Sequence, residues 1–376
     1  MLPTWGANMS ASYEIWLSWN DGIRMALLDV VTEFSYSIVM HNIGVCTLEL
    51  PSTFDRTSLH HDMRIEVWRR PEDGTLALER VYLIRRLIDV MDKNGVRSVK
   101  IVGLDGNSLL KRRIINFNEG NGECTGEWNA DAWAWWLVHT NLGAAAYDVD
   151  RRMPADFYET DTYEEFGPLV TISFARRNLL AACQELAEMA ESTGEPIYWH
   201  MIDFSPTKWQ FRTYVGQPGV DHSYPNGVGV VMLSPELGNL SEPTLDENLT
   251  DEVNMVIAGG KGEGEDRMVD YAYDTERLNR SPYGLCEGFV NATSGEETWN
   301  DIYAAALSSL AKGYPKLTMT ANLVDTEGTR YGVHWKWGDR VTMSYAGRVV
   351  DAIVRAVTVT VKANGKESIQ AKLEAA

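Results

Sequence analysis

The segment MRIEVWRRPEDGTLALERVYLIRRLIDVMDKNGVRSVKIVGL, residues 63–104, carries the pattern that decides the fold. Apolar and polar residues alternate in runs, and turn residues interrupt the runs at Asp73-Gly74 and Asn94-Gly95. A period of two is typical of β-strands, and Asn-Gly favours a type I′ hairpin of two residues because both central positions need positive φ. The segment therefore predicts antiparallel strands joined by hairpins.

The C-terminal region repeats this plan. Residues 333–374 alternate, turn near Ala346-Gly347, run on in a long apolar stretch, and return after Asn364-Gly365. The long stretch is apolar on both faces, as expected of a strand that is covered on two sides or curls into a barrel. The two ends predict related antiparallel β-barrel-like domains that arose by duplication. Chance similarity between two hairpins with Asn-Gly turns is the open alternative.

An α/β region is expected between these ends. Apolar residues at helical spacing over 176–193, followed by Gly194, predict an amphipathic helix. Ser294 and Glu297 have the spacing of a capping box before a further helix. The expected elements are helices over about 129–141, 176–193 and 296–312 and a hairpin over 197–215.

The length of 376 residues predicts two or three domains in a β-rich, mixed α+β chain. The second barrel is expected to be completed after the α/β middle. The predicted boundaries are an N-terminal β-barrel-like domain at 1–108, an inserted α/β domain at 109–225, a β/α segment at 226–322 with a Gly-rich turn at 259–264, and the C-terminal part of the second β-barrel-like domain at 323–376.

The charge balance limits the partners. The chain has 34 basic and 53 acidic residues, a net charge of −19, which opposes tight binding to nucleic acid or to an anionic membrane. No signal peptide or membrane span is recognisable, so synthesis in the cytoplasm and no membrane anchor are expected. The scattered cysteines predict reduced thiols. They are Cys46, Cys124, Cys183 and Cys286.

Motifs that could carry chemistry are weak. The glycine-rich segment 259–267 lacks the Lys-Ser/Thr pair of a phosphate loop and leads into a strand, so it predicts a tight β turn. His60 and His61 are adjacent, and adjacent residues on a strand would point to opposite faces, which suits no single metal, so a surface turn is expected here. Asp148 and Asp150 lack the other ligands of a calcium loop. The sequence therefore predicts no catalytic, cofactor-binding or metal-binding residue.

A carbohydrate-binding protein or a glycosidase is the alternative, since the chain has 13 tryptophans and many carboxylates. Trp133 and Trp136 share one face of the predicted short helix, which favours burial. Trp335 and Trp337 lie on one side of a predicted strand, where they suit either a core or a stacking surface. No pair of carboxylates stands out as catalytic.

Four motifs stand out along the chain: Leu186-Ala187 with Gly194, and the segments 212–223, 254–267 and 283–292. Their order and spacing are more specific than any one of them. Together they resemble the Gp37-like proteins of siphophages, the ReqiPepy6 type, and the likeness covers nearly the whole chain. Cys286-Glu287 replaces a basic pair that is frequent in the family, which puts a salt bridge of that pair in doubt.

The resemblance implies a structural baseplate hub at the tail tip of the virion, not an enzyme. It implies a homotrimer in which two barrels from each chain form a ring that matches the sixfold tail tube to a threefold tip. The ring would surround the channel for DNA and the tape measure protein, and an acidic lining would let DNA slide. Further implied partners are the distal tail protein and downstream tail-fibre or receptor-binding proteins. A carbohydrate-binding tail protein, or a glycosidase acting on host surface polysaccharide, remains the alternative.

Overall fold

One large sheet of 13 strands dominates the protein. The structure is a computed structural model that describes residues 11–29, 31, 33–72, 74–116, 124–163, 165–225, 227–292 and 298–375. The strands are β1 (Ala11–Ser18), β2 (Arg24–Leu27), β3 (Glu33–Val39), β4 (Val45–Pro51), β5 (Arg64–Pro71), β6 (Ala77–Met91), β7 (Arg97–Asp105), β8 (Cys124–Asn129), β9 (Tyr158–Glu159), β10 (Leu169–Phe174), β11 (Ile197–Asp203), β12 (Trp209–Val215), β13 (Met232–Leu233), β14 (Leu240–Asn248), β15 (Met255–Gly259), β16 (Val269–Tyr273), β17 (Glu287–Asn291), β18 (Lys316–Leu323), β19 (Arg340–Tyr345), β20 (Arg348–Val361) and β21 (Glu367–Ala375). The α-helices are α1 (Ser108–Lys111), α2 (Ala130–Asn141), α3 (Leu179–Ser192), α4 (Thr275–Arg280) and α5 (Trp299–Lys312).

The large sheet joins the two ends of the chain. Its order is β14-β18-β21-β20-β3-β4-β7-β6-β5-β1-β2, and β19 pairs with β20 while β13 pairs with β19. We call β1–β7 the first half and β13, β14 and β18–β21 the second half. The halves meet where β20 pairs antiparallel with β3, from Ala356↔Val39 to Val361↔Phe34. Buried side chains of both halves form one hydrophobic core.

The two halves have the same strand order. The path β3-β4-β7-β6-β5 of the first half corresponds to β14-β18-β21-β20-β19 of the second. A register shift interrupts the β6–β7 ladder around Arg85 and the β20–β21 ladder around Arg355. Arg85 precedes Asn94 by the same number of residues as Arg355 precedes Asn364. Chance similarity of two hairpins does not require a matched bulge, so the structure favours duplication.

The loop between β6 and β7 differs from the prediction. The predicted two-residue type I′ turn at Asn94-Gly95 is wrong, because Asp92 N donates to Val96 O at 2.9 Å and closes a loop of three residues. Only Gly95 has positive φ, 79°. The Asp92 carboxylate accepts hydrogen bonds from Asn94 N and Val96 N, both at 2.8 Å, which holds this wider turn. Asp73 of the other predicted turn lies outside the described residues.

The second half repeats the wider loop. Lys362 N donates to Lys366 O at 3.1 Å, and Gly365 has φ 78°, so the type I′ expectation is wrong here also. Positive φ at two successive residues occurs instead at Ala346 (52°) and Gly347 (75°) between β19 and β20. The predicted turn at Ala346-Gly347 is therefore confirmed, and it has the dihedral signs of a type I′ hairpin.

The strand pairs of the described residues form an open path and not a closed barrel. The path ends in β2 on one side and in β14 on the other. The β-rich fold with few helices is confirmed, whereas the division into two barrels and the domain boundaries stay predictions.

The predicted amphipathic helix is α3. It begins at Leu179, a little after the predicted start at 176, because the Asn178 side chain accepts hydrogen bonds from the next turn's backbone N–H groups. Arg176 has φ 49°, which lies outside the right-handed helical region. Gly194 follows the helix with φ 85°, as its position after the last turn predicts. The predicted helix 129–141 and hairpin 197–215 correspond to α2 and to β11 and β12.

Helix α5 has a capping box of its own. Thr298 Oγ1 accepts from Asp301 N at 3.4 Å, and the Asp301 carboxylate accepts from Thr298 N at 2.8 Å. The helix therefore begins at Trp299. The predicted capping residues Ser294 and Glu297 lie outside the described residues.

Asp105 and Asn107 fasten the α/β part to the large sheet. Asp105 Oδ1 accepts from Asn107 N at 3.1 Å, and Asn107 Oδ1 accepts from Met201 N at 2.8 Å. Burial raises the pKa of Asp105 to about 7, although Arg80 and backbone N–H groups partly oppose the shift.

This raised pKa predicts a pH-dependent stability. The unfolded pKa is about 3.9, so the contribution of protonated Asp105 is complete below that pH and is lost as pH rises through about 7. Asp105→Asn should lack this loss. Urea unfolding at about pH 4 and at about pH 8 brackets the loss, and the free energy of unfolding of the wild type should fall relative to that of the variant between these two values. A difference between the two proteins that does not change with pH would contradict this assignment.

A buried ion pair lies where the two halves meet. Arg69 Nε donates to Glu367 Oε1 at 3.0 Å, and the two side chains are 0% and 4% exposed. Arg69 Nη1 donates to Tyr331 O at 3.0 Å, and Tyr13 OH donates to Glu367. Burial lowers the pKa of Arg69, but Tyr13 and Glu367 raise it by more, so the guanidinium stays charged.

Removing the carboxylate should be costly. Glu367→Gln leaves a charged Arg69 buried without its counter-ion, and we expect a loss of about 3–5 kcal/mol in the free energy of unfolding. Denaturant unfolding measures the loss. Asp89→Asn is the matched control, because it removes the exposed Arg56–Asp89 pair and should have a much smaller effect. Equal effects of the two substitutions would contradict the role given to the buried pair.

Candidate assembly interface

Within the described chain, the open strand edges of the large sheet include, besides that of the short end strand β2, two that occupy equivalent places in the repeat. One is the outer edge of β14, which pairs only with β18. The other is the edge of β6 at residues 86–91, because β5 pairs with β6 only as far as Leu83. An open edge presents unpaired backbone N–H and C=O groups that another chain can bind.

The edge of β14 is acidic and partly protected. Its carboxylates lie on Glu242, Asp246 and Glu247, and Pro243 removes one backbone donor. Arg348 donates to Glu247 at 2.6 Å from the same half of the sheet. Charges and proline oppose indiscriminate pairing at such an edge.

The edge of β6 carries an exposed apolar end. Met91 is 58% exposed, whereas its counterpart Val361 in β20 is 5% exposed beneath β3. Arg86 is also exposed at this edge, and no described side chain forms an ion pair with it. The edge therefore combines a positive charge with apolar surface.

A smaller sheet presents an aromatic face. β15 pairs with β16 and β17, and α5 packs against one side of this sheet. The other side exposes Tyr271, Tyr273 and Phe289, with Ile257 in register between Tyr271 and Phe289. Such a face is suited to contact with a partner.

A cavity of about 480 Å³ lies beside the buried Arg69–Glu367 pair. Arg80, His200 and Trp337 line it, and His200 stacks on Trp337 with ring centroids 5.2 Å apart. Arg80 Nε, His200 Nδ1 and Trp337 Nε1 are buried and have no hydrogen-bond partner among the described residues.

Burial shifts the pKa values of two titratable side chains at this cavity, His200 and Glu79. Burial, and then the nearby charge of Arg80, lower the pKa of His200 well below its usual value, so its ring is neutral. Burial raises the pKa of Glu79, while Arg69 opposes the shift, and Tyr331 OH donates to Glu79 at 2.9 Å. No sequence pattern predicted this cavity. The only signal was the pair Glu79-Arg80 within an otherwise apolar run.

The glycine-rich segment connects two strands, β15 and β16, as predicted, but residues 260–268 make this connection longer than the predicted tight turn. It contains a single 3-10 turn, Gly264–Asp266, and no α-helix that could bind phosphate at its N-terminus. Arg267 closes the connection by donating to Gly259 O and Gly260 O, each at 3.1 Å.

Tryptophans that the sequence assigned to a core or to a stacking surface lie mostly in hydrophobic cores. Trp133 and Trp335 are buried, and Trp136 packs partly buried against the core around Trp133. Trp337 lies at the cavity. Trp299, at the start of α5, is exposed.

The remaining candidate residues are apart from one another. His60 stacks on Trp19 with centroids 5.5 Å apart, and Asp148 caps a single 3-10 turn that contains Asp150. Within the described residues, no three His, Cys, Asp or Glu side chains gather closely enough to hold a metal ion.

All four cysteines are free thiols, as predicted. Among the described helices, none combines the length and apolar character that crossing a membrane requires.

Solved structures of tail proteins share the fold over nearly the whole chain. The tail protein of Neisseria meningitidis MC58 is 13% identical over 96% of both chains, with a TM-score of 0.55. The 43 kDa tail protein of prophage MuSo2 from Shewanella oneidensis is 10% identical over 98% of both chains, with a TM-score of 0.57. Prophage tail protein gp18 of Listeria monocytogenes EGD-e is 12% identical over 96% of this chain and 94% of its own, with a TM-score of 0.51. At these identities the likeness shows the fold alone.

No curated protein matches the sequence. The model of the family described as Siphovirus ReqiPepy6 Gp37-like protein matches residues 19–373. The match covers the large sheet except β1 and the last residues of β21, together with everything between its two halves, which confirms the resemblance in the sequence. The chain belongs to the siphovirus ReqiPepy6 Gp37-like family.

Proposed function

We propose that this protein is a structural baseplate hub at the siphophage tail tip, where three copies form a ring around the channel for DNA and the tape measure protein. The observation that carries the proposal is the repeat within the large sheet. Each chain contains two halves with the same strand order and a bulge at the same position. Three chains therefore supply six similar units.

Such a ring solves a symmetry problem. A sixfold tail tube needs six similar contact surfaces on the protein that it binds. A threefold tip needs only three. Three copies with two barrel-like units each present both symmetries at one level. The distal tail protein would contact the ring from the tube side, and tail-fibre or receptor-binding proteins would contact it from the other.

The net charge of −19 supports passage of DNA and not its retention. Like charge in the channel repels the phosphate backbone. The role is that of a scaffold and not of a catalyst. The protein would be made in the host cytoplasm and become part of the virion.

Copy number tests this role. Purified tails should contain three copies of this chain, which quantitative mass spectrometry can count against the sixfold tube subunit in the same sample. One copy or six copies per tail would contradict the trimeric hub. Light scattering of the purified chain adds the mass in solution, which a stable ring sets at three times 42.2 kDa.

A second candidate is a carbohydrate-binding role, and the exposed aromatic face of β15–β17 favours it. Rings such as Tyr273 and Phe289 can stack on sugars. A glycan array with the wild type and with Tyr273→Ala tests this role, and selective binding that the substitution removes would support it. Tyr147→Ala is the matched control, since Tyr147 is exposed elsewhere. No selective binding, or equal binding by all three proteins, would exclude this face as a sugar site.

A further inference from the structure

The repeat within the chain shows how one copy can pair with the next. Position by position, β20 corresponds to β6, with Val361 matching Met91 and Ala356 matching Arg86. In β20 the stretch from Ala356 to Val361 pairs with β3. The matching stretch of β6, residues 86–91, has an open edge among the described strands.

The strand that corresponds to β3 is β14. Each lies at the outer end of an equivalent row of four strands, and the rows can be followed residue by residue through the ladders. One such row is Ser35, Thr47, Val102 and Arg86, and its counterpart is Thr244, Thr320, Lys372 and Ala356. Thr244 of β14 therefore matches Ser35 of β3.

We infer that β14 of one copy pairs antiparallel with residues 86–91 of β6 in the next copy, as β3 pairs with β20 inside the chain. The pair Thr360↔Ser35 within the chain fixes the register. Its counterpart between chains is Val90 opposite Thr244. The contact is heterologous, because it joins the second half of one chain to the first half of the next, and it closes into a ring after three copies.

The faces of the two strands agree with this register. Leu87 of β6 and Leu245 of β14 both pack against the large hydrophobic core of their own chain. In the inferred register these leucines lie on the same face of the joined sheet, as diagonal neighbours. A shift by one residue would place them on opposite faces, so the cores of the two chains oppose that shift.

The charges on the other face are complementary. Arg86 and Asp246 become diagonal neighbours across the strand pair, within reach of a long side chain. Arg86 has no ion-pair partner among the described residues, and Asp246 is exposed. Pairing would also cover Met91, in the way that β3 covers Val361.

A disulfide between copies tests the pairing, which rests on the proposed trimer. Residues directly opposite in an antiparallel pair have Cα atoms about 4.5–5.5 Å apart, a distance that a disulfide spans. We expect Val90→Cys with Thr244→Cys, in a Cys286→Ser background, to give covalent dimers and trimers when assembled tails are oxidised. The control is Asp89→Cys with Thr244→Cys, whose side chains point to opposite faces and should cross-link at least about tenfold less.

The outcomes separate this inference from the hub role. Tails that contain three copies but form no Val90–Thr244 cross-link, or form as much of the control cross-link, would overturn the strand pairing and leave the trimer intact. Tails with a different copy number would overturn both. Arg86→Glu should impair ring assembly, and Asp246→Arg in the same chain should restore it, because the exchange preserves the opposite charges. Failure of the double exchange to restore assembly would count against the register.

Discussion

The pairing of β20 with β3 is the interaction on which the rest of the structure depends. It joins the two ends of the sequence into one sheet, and the core beneath this sheet contains side chains from both ends. The buried Arg69–Glu367 pair lies at the same junction. A buried charge is tolerated only with its partner in place, so this pair permits one arrangement of the two halves and penalises others.

The β20–β3 junction is also a contact that the repeat allows to recur between chains. A duplicated unit usually buries the edge that it shares with its neighbour and leaves the equivalent edge at the other end open. In this chain the buried edge is β20 against β3, and the equivalent open edges are those of β14 and of the end of β6. Association through those edges repeats a contact that the fold already contains. A ring of three chains therefore needs no second kind of strand pairing.

Local sequence patterns predicted the elements well, and tertiary contacts explain the misses. The helix before Gly194 and the hairpin at 197–215 follow from periodicity and turn residues. The Asn-Gly loops were given the wrong turn type, because Asp92 binds the backbone of its own loop and only the glycine needs positive φ.

The duplication was visible as two long strands with similar turns. The bulges at Arg85 and Arg355, which separate it from chance, are properties of strand register and cannot be read from one strand alone. The open edges and the cavity at Arg80 also depend on contacts distant in sequence, so local patterns predicted neither.

A cryo-EM map of the assembled tail tip tests the central claim most directly, since the claim concerns how the two halves are arranged around an axis. The account predicts six copies of the same strand arrangement at one level and at equal radius, traced by three chains, with a continuous sheet across each boundary. A map in which the first and second halves lie at different distances from the axis, or in which this chain does not surround the channel, would contradict it.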